Sequence, residues 1–188
     1  MQNEETYNEV REAIETGDFD RAWQLLIPLA EAGDAEAQYR LACLSYEGAN
    51  ITDEVAYGWM EKAAKQNHPD ALFRWASYCR PGESALIIKA AELGSTAAQH
   101  ALGVSYATGD DGFPKDEKEA VKWYSMAAKA GDDDAQYNLG TMILYGEGTP
   151  KDKVQAKHWL EESARQGNEA AKRLLAELCR NEDKPRRG

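Results

Sequence analysis

The chain has 188 residues, of which 33 are acidic and 22 are basic, so its formal net charge is −11. Nucleic acid is a polyanion, and this charge argues against it as a partner. No apolar run approaches the roughly 20 residues that span a bilayer, so we expect no membrane insertion. The acidic, amphipathic N-terminus lacks the features of a signal peptide, which favours a cytoplasmic location, or a periplasmic one if a signal peptide was removed.

Three cysteines and three histidines are scattered along the chain. An odd, dispersed set of cysteines does not suggest a disulfide framework, and the histidines lack metal-ligand spacing. The sequence shows no Ser/His/Asp or Cys/His grouping. We therefore expect no catalytic residue, no metal and no cofactor.

The predicted elements begin with a helix over residues 4–16, which carries apolar residues at helical spacing. Gly17 ends this helix, and Asp18 caps a second one. Pro28 should kink or shorten the second helix, because it removes a backbone donor. Gly33 then ends this first helix pair.

Gly33 opens a series of helix-ending residues that serve as register marks, separated by 34, 27, 37 and 36 residues: Gly33, Asn67, Gly94, Gly131 and Gly167. Four positions past each mark stands an alanine, and eight past stands a large apolar residue followed by Ala or Gly. A large residue followed by a tiny one predicts closely packed helices in a repeat protein. Eight positions before the last four marks stand further predicted core residues: Trp59, Leu86, Trp123 and Trp159.

Two loops repeat as well, GDDGFPKD at residues 109–116 and GEGTPKD at residues 146–152. Each ends in a predicted capping box for the following helix: Asp116 with Glu119, and Asp152 with Gln155. Neither loop has the lysine and hydroxyl of a P-loop, nor the ligand spacing of an EF-hand. Their glycines are explained by the turns.

Three strings, A-x-x-x-L-G, G-x-G-x-P-x-D and A-x-x-W-Y/L-x-x-A-A-x-x-G, together resemble the Sel-one-like repeat (SLR) family, a relative of the tetratricopeptide repeat. The resemblance covers about residues 30–179 and is strongest over 94–131 and 131–167. It departs over residues 67–94, where the loop is short and Leu86 replaces Trp. The resemblance implies an all-α, right-handed superhelical solenoid of antiparallel helix pairs, with about eleven helices.

On this basis we expect a single repeat domain over residues 1–180. Its first helix pair, residues 4–32, is more similar to the tetratricopeptide repeat. A capping helix is expected over residues 168–180, followed by a disordered tail over residues 181–188 that is polar and contains proline.

Known members of the resembled family act as adaptors and scaffolds, in bacteria among others. The resemblance therefore implies a non-catalytic module that binds a protein or peptide in a concave groove. An alternative is an immunity or inhibitor protein against a basic toxin, which the charge would suit, although solubility alone also explains it. A penicillin-binding or β-lactamase-like enzyme is a third reading, but the chain lacks paired cysteines and the Ser-x-x-Lys, Ser-Asp-Asn and Lys-Thr-Gly motifs.

The groove follows from the tetratricopeptide-like arrangement, in which the first helix of each pair lines the concave side. Two residues before the key large residue stand the predicted groove side chains: Tyr39, Phe73, His100 and Tyr137, with Arg173 in the cap. Carboxylates stand three residues earlier on the same helical face: Glu36, Asp70 and Asp134. This row predicts binding of an extended peptide with Lys or Arg. The other interpretation is that these rings pack between helices, and the loops at 109–116 and 146–152 then become the next candidate.

Overall fold

The computed structural model describes residues 2–47, 49, 51–79 and 84–182. Within these residues the chain forms helices and no strands, which confirms the all-α class with about eleven helices. The helices are α1 (Gln2–Glu15), α2 (Phe19–Glu31), α3 (Ala35–Glu47), α4 (Asp53–Lys65), α5 (Pro69–Cys79), α6 (Ser84–Glu92), α7 (Thr96–Thr108), α8 (Glu117–Lys129), α9 (Asp133–Tyr145), α10 (Lys153–Arg165) and α11 (Glu169–Glu182).

The register marks are helix C-terminal residues in the left-handed conformation, as the sequence predicts. Each has a positive φ angle: Gly33 (98°), Asn67 (63°), Gly94 (102°), Gly131 (100°) and Gly167 (109°). The residue after each mark caps the next helix, because its side chain accepts a backbone N–H three residues on: Asp34, His68, Ser95, Asp132 and Asn168. A three-residue connection therefore suffices to start each new pair.

The chain divides into two compact units, residues 1–93 and residues 94–188, called here the first unit and the second unit. The first unit holds α1 to α6 and the second holds α7 to α11. Because repeats in a stacked array contact only their neighbours, this division does not test the expectation of one repeat domain over residues 1–180, which stays a prediction.

Close helix packing is visible at the predicted glycines of the second unit. A Cβ atom on Gly103 would lie 2.5 Å from Tyr124 Cδ1, and one on Gly140 would lie 2.9 Å from Leu160 Cγ. The large residue beside each glycine is fully buried, as Leu139 illustrates at 1% exposure. These contacts explain why a glycine stands inside these helices despite its poor helix propensity.

The predicted tryptophans differ in their burial. Trp123 is in the core at 5% exposure, whereas Trp59, Trp159 and Leu86 are only half-buried. The exposed ring face of Trp59 is covered by the Lys62 ammonium, 3.8 Å from the ring centroid. A tryptophan is large enough to reach from the core to the surface, so the repeated position is a boundary position in these pairs.

Three local expectations need correction or refinement. α2 continues through Pro28 to its end at Glu31, so the helix is not shortened there. Asp116 caps α8 as predicted, but the reciprocal half of the capping box is replaced, because its own N–H donates to the Tyr106 carbonyl at 2.8 Å. α11 extends two residues beyond the predicted end at 180, since no helix-breaking residue precedes Pro185. The rest of the predicted tail, residues 183–188, lies outside the described residues.

Candidate functional site

Three of the predicted groove residues come together in the first unit. A pocket of about 480 Å³ is bordered by α3 and α5, and it is called here the first-unit pocket. Its walls include the predicted residues Glu36, Tyr39 and Asp70, together with residues that the sequence pattern did not single out: Ile14, Arg40, Cys43, Tyr46 and Arg74.

His68, the residue that caps α5, organises one wall of this pocket. Its Nδ1 accepts the N–H of Ala71 at 3.3 Å, so the proton of the neutral ring lies on Nε2. That Nε2 lies 2.9 Å from Glu36 Oε2. The imidazole also stacks on Tyr39, with ring centroids 4.6 Å apart and an interplanar angle of 22°. One face of the predicted groove tyrosine is therefore covered from within the protein.

Glu36 is held by two partners. His68 donates to one carboxylate oxygen, and Arg40 Nε donates to the other. The hydrogen bond from His68, with that from Arg40, lowers the pKa of Glu36 to about 2, although partial burial opposes the shift. Glu36 is therefore ionised at neutral pH, and its charge is already compensated by residues of this chain.

Two arginines on the pocket wall are held in a similar way. Arg40 uses its Nε on Glu36, and its guanidinium carbon lies 5.0 Å from the centroid of the Tyr7 ring. Arg74 uses its Nε on the Tyr39 hydroxyl at 3.2 Å, and its guanidinium carbon lies 5.6 Å from the centroid of the Tyr46 ring. A hydrogen bond and an aromatic ring thus help to position each guanidinium.

The two tyrosines of the pocket have different roles. Burial raises the pKa of the Tyr39 hydroxyl, and a hydrogen bond with the Cys43 thiol adds to this effect. Tyr39 is accordingly a packed wall of the pocket. Tyr46 is 55% exposed, so its ring presents apolar surface to solvent.

The remaining predicted groove residues do not line this pocket. Phe73 is half-buried on α5. In the second unit, His100 lies against Tyr124 with ring centroids 5.9 Å apart, and Asp134 accepts a hydrogen bond from Asn168 at 2.9 Å. Tyr137 is half-buried and Arg173 is exposed. A groove role for these residues stays a prediction.

The second unit has a cavity of about 820 Å³ at the repeated loops, lined by Lys115, Asp116, Glu117, Lys118, Gly146, Gly148, Thr149 and Pro150. Several of its polar groups are engaged in the turn itself. The Asp116 carboxylate caps α8, and Lys115 Nζ lies 3.4 Å from Glu117 Oε1. The backbone of Gly148 packs directly on the Glu117 carbonyl. The shape of this cavity follows from loop packing, and the first-unit pocket is the stronger candidate.

The same described residues, 2–47, 49, 51–79 and 84–182, bear on metal binding and membrane insertion. In this part of the chain, no three His, Cys, Asp or Glu side chains are grouped so that they could hold a metal ion. None of the helices described there combines the length and apolarity that crossing a bilayer requires.

The Sel1 repeat family model matches residues 35–68, 96–132 and 133–168, which together make up more than half of the chain. The chain therefore belongs to the Sel1 repeat family. The first of these matches contains α3 and α4 and includes Glu36, Tyr39 and Arg40 of the first-unit pocket. The other two matches lie in the second unit.

Three proteins with similar sequences or structures are each longer than this chain. Uncharacterized protein NMB1327 of Neisseria meningitidis serogroup B is 30% identical, over 81% of this chain and 40% of its own length. The crystal structure of a Sel1 repeat protein from Oxalobacter formigenes is 33% identical, with a TM-score of 0.75 over 84% of this chain and 49% of that one. Immunity protein PA5088 from Pseudomonas aeruginosa is 24% identical, with a TM-score of 0.60 over 81% of this chain and 59% of that one, a likeness that shows the fold alone. The chain thus spans less than half of the first two relatives.

Proposed function

We propose that this chain is a non-catalytic protein-interaction module of the adaptor or scaffold type, whose partner docks in the first-unit pocket. Sel1 repeat proteins are generally protein-interaction modules, and the features of the pocket favour it as the place where the partner binds. It joins an exposed aromatic ring, Tyr46, to fixed charged groups, Arg40 and Arg74, on the first helices of two successive pairs. Exposed aromatic rings beside arginine are frequent anchors of protein interfaces.

The chemistry of the pocket supports a binding role over a catalytic one. Cys43 lies on the pocket wall, and a cysteine thiol can act as a nucleophile. To react, it needs a neighbouring base or a lowered pKa. Its hydrogen-bond partner Tyr39 has a raised pKa, so Tyr39 holds its proton and cannot serve as that base. The pairing of Glu36 with Arg40 likewise leaves this carboxylate without a role as a general base.

A basic partner, including a basic toxin, is supported by the net charge of −11 rather than by this pocket. Two carboxylates, Glu36 and Asp70, and two guanidiniums, Arg40 and Arg74, line its walls, so their formal charges cancel. The immunity alternative consequently needs another surface of the molecule. Binding of a peptide segment in the first-unit pocket needs no other surface, because an aromatic anchor and hydrogen-bonding groups are sufficient for it.

The test is capture of partners from a lysate of the organism that encodes this chain, with the wild-type chain and two matched variants as bait. Tyr46→Ala removes a ring that is 55% exposed in the pocket, and Tyr145→Ala removes a ring that is 53% exposed in the second unit. Both variants should keep the helical spectrum and the melting temperature of the parent. We expect Tyr46→Ala to lose the principal partner and Tyr145→Ala to retain it, and equal recovery by both would contradict the proposal.

A further inference from the structure

Arg40 has an unused binding edge that the proposed function does not account for. Its Nε is the nitrogen that donates to Glu36, and its flat face packs on the Tyr7 ring. Within the described residues, its two terminal nitrogens donate to no protein acceptor. The side chain is 32% exposed, and it lines the first-unit pocket. A fixed guanidinium thus presents its outer edge to whatever enters.

The surrounding contacts hold this edge in place. Glu36 is anchored by His68 at 2.9 Å, and His68 is in turn stacked on Tyr39. Arg40 therefore loses little conformational freedom when it binds a further group, which favours affinity. The geometry resembles a receptor that is organised before its ligand arrives.

The chemistry of this edge selects a planar anion. Two parallel N–H groups of a guanidinium match the two oxygens of a carboxylate, and such charge-assisted bonds are stronger than neutral ones. Asp70 also lines the pocket, so a doubly charged phosphate would meet more repulsion there than a singly charged carboxylate. Tyr46 and Ile14 add apolar surface for the peptide on either side of the acidic residue.

We infer that the first-unit pocket recognises an Asp or Glu side chain of an extended partner segment, with the terminal nitrogens of Arg40 as the receptor. This inference rests on the proposed function and reverses the basic preference expected from sequence. That expectation counted Glu36 as available to a partner, whereas the structure shows it bound to Arg40 and His68. Asp70 opposes the acidic ligand, so its neutralisation should strengthen binding.

The experiment selects a phage-displayed library of random peptides on the immobilised full chain, with Tyr46→Ala as the counter-selection. The best Tyr46-dependent peptide is then synthesised with its acidic residue and with the corresponding amide, and binding is measured by fluorescence anisotropy. We expect enrichment of Asp or Glu at one position. The amide peptide, or Arg40→Gln, should weaken binding by about tenfold to a hundredfold. Asp70→Asn should tighten it.

The outcomes separate this inference from the function on which it rests. Enriched peptides that are basic, or an acidic peptide whose affinity is unchanged by Arg40→Gln, would overturn the inference and leave the binding function standing. Tyr46-independent enrichment would overturn both. If Arg40→Gln does not fold, Arg40→Lys keeps the charge but removes the paired donors, and the amide peptide tests the same contact without any change to the protein.

Discussion

In both units, the helices that follow a register mark share one side-chain position and differ at the next. These helices are α3 and α5 in the first unit, and α7 and α9 in the second. Six residues past the register marks both units carry a ring: Tyr39 and Phe73 in the first unit, His100 and Tyr137 in the second. Seven residues past the marks the units diverge, with Arg40 and Arg74 in the first unit against Ala101 and Asn138 in the second. The ring therefore belongs to the repeat, whereas the arginine pair is a property of the first unit.

This difference separates register positions that packing explains from one that packing leaves open. The shared rings are largely explained by packing, since Tyr39 lies on His68 and His100 lies against Tyr124. The arginines are not required by packing at that register position, because alanine and asparagine occupy it in the second unit. A repeat protein can thus carry distinctive side chains on some helix pairs while the positions shared by all pairs keep the fold.

Replacing a helical glycine by alanine should give the largest change in the free energy of unfolding, with opposite signs in the two units. Gly58 and Gly140 both lie inside helices, but a Cβ on Gly58 meets no atom within 4 Å, whereas one on Gly140 meets Leu160 Cγ and the Ala156 carbonyl. We expect Gly140→Ala to lower the free energy of unfolding by about 1–3 kcal/mol through overpacking. Gly58→Ala should raise it by about 0.5–1 kcal/mol through helix propensity. Urea unfolding measures both, and two changes of the same sign would contradict the assigned packing.

Substitutions at a buried pair of glutamine side chains should change the free energy of unfolding by a smaller amount. Gln136 Nε2 donates to the Ala128 carbonyl at 3.1 Å, and its Oε1 accepts from Gln166 at 3.0 Å. The first unit repeats this arrangement with Gln38 and Gln66. The register position of Gln66 and Gln166, one residue before the mark, is occupied by Ala130 in the remaining pair of this type.

That remaining pair contains Gln99, which has an interaction of its own, but its buried Oε1 atom accepts no hydrogen bond from the described residues. We expect Ala130→Gln to supply the missing donor and to raise the free energy of unfolding by about 1 kcal/mol. Gln166→Ala should lower it by a similar amount. Thermal unfolding of both variants measures the effect, and destabilisation by Ala130→Gln would show that the amide does not reach Gln99.

The smallest predicted effect concerns the Glu36 carboxylate and depends on pH. The pKa of Glu36 is lowered from 4.5 to about 2, chiefly by the hydrogen bond from His68. Its contribution to stability is therefore complete above pH 4.5 and is lost as the pH falls towards 2. Because the side chain is 40% exposed, we expect no more than about 1 kcal/mol.

The comparison is between the wild-type chain and Glu36→Gln, unfolded by denaturant at several pH values. The wild-type chain should be the more stable one at pH 7, and the difference should shrink between pH 4.5 and 2. Asp134→Asn is a matched control, since Asp134 occupies the same register position and accepts from an amide of Asn168. A difference for Glu36→Gln that does not change with pH would argue against the assigned hydrogen bonds.

Much of the fold could be predicted from the sequence because its signals are local. The left-handed marks, the caps after them and the alternation of large and tiny residues each depend on a few neighbouring positions. The burial of the tryptophans was less predictable. Trp59 and Trp123 occupy the same register position, yet only Trp123 is fully buried, and that difference depends on which side chains neighbour each ring.

Local signals indicate only part of the first-unit pocket, and its role as a binding site stays a prediction. The helical spacing put Glu36, Tyr39 and Asp70 on one predicted face, and all three line the first-unit pocket, but the spacing did not show that Glu36 is bonded to His68, 32 residues away along the chain. The arginines do not stand out from the repeat pattern, because that pattern consists of what the repeats share. A comparison of the repeats at the position after the ring, where Arg40 stands against Ala101, would have found them.

Hydrogen–deuterium exchange of the full chain, with and without its captured partner, shows directly whether the partner binds in the first unit. We expect added protection in α3 and α5, residues 35–47 and 69–79, where the first-unit pocket lies. The corresponding helices of the second unit, α7 and α9, should exchange at the same rates in both samples. Protection confined to those helices, or to the loops at 109–116 and 146–152, would contradict the placement of the binding site in the first unit.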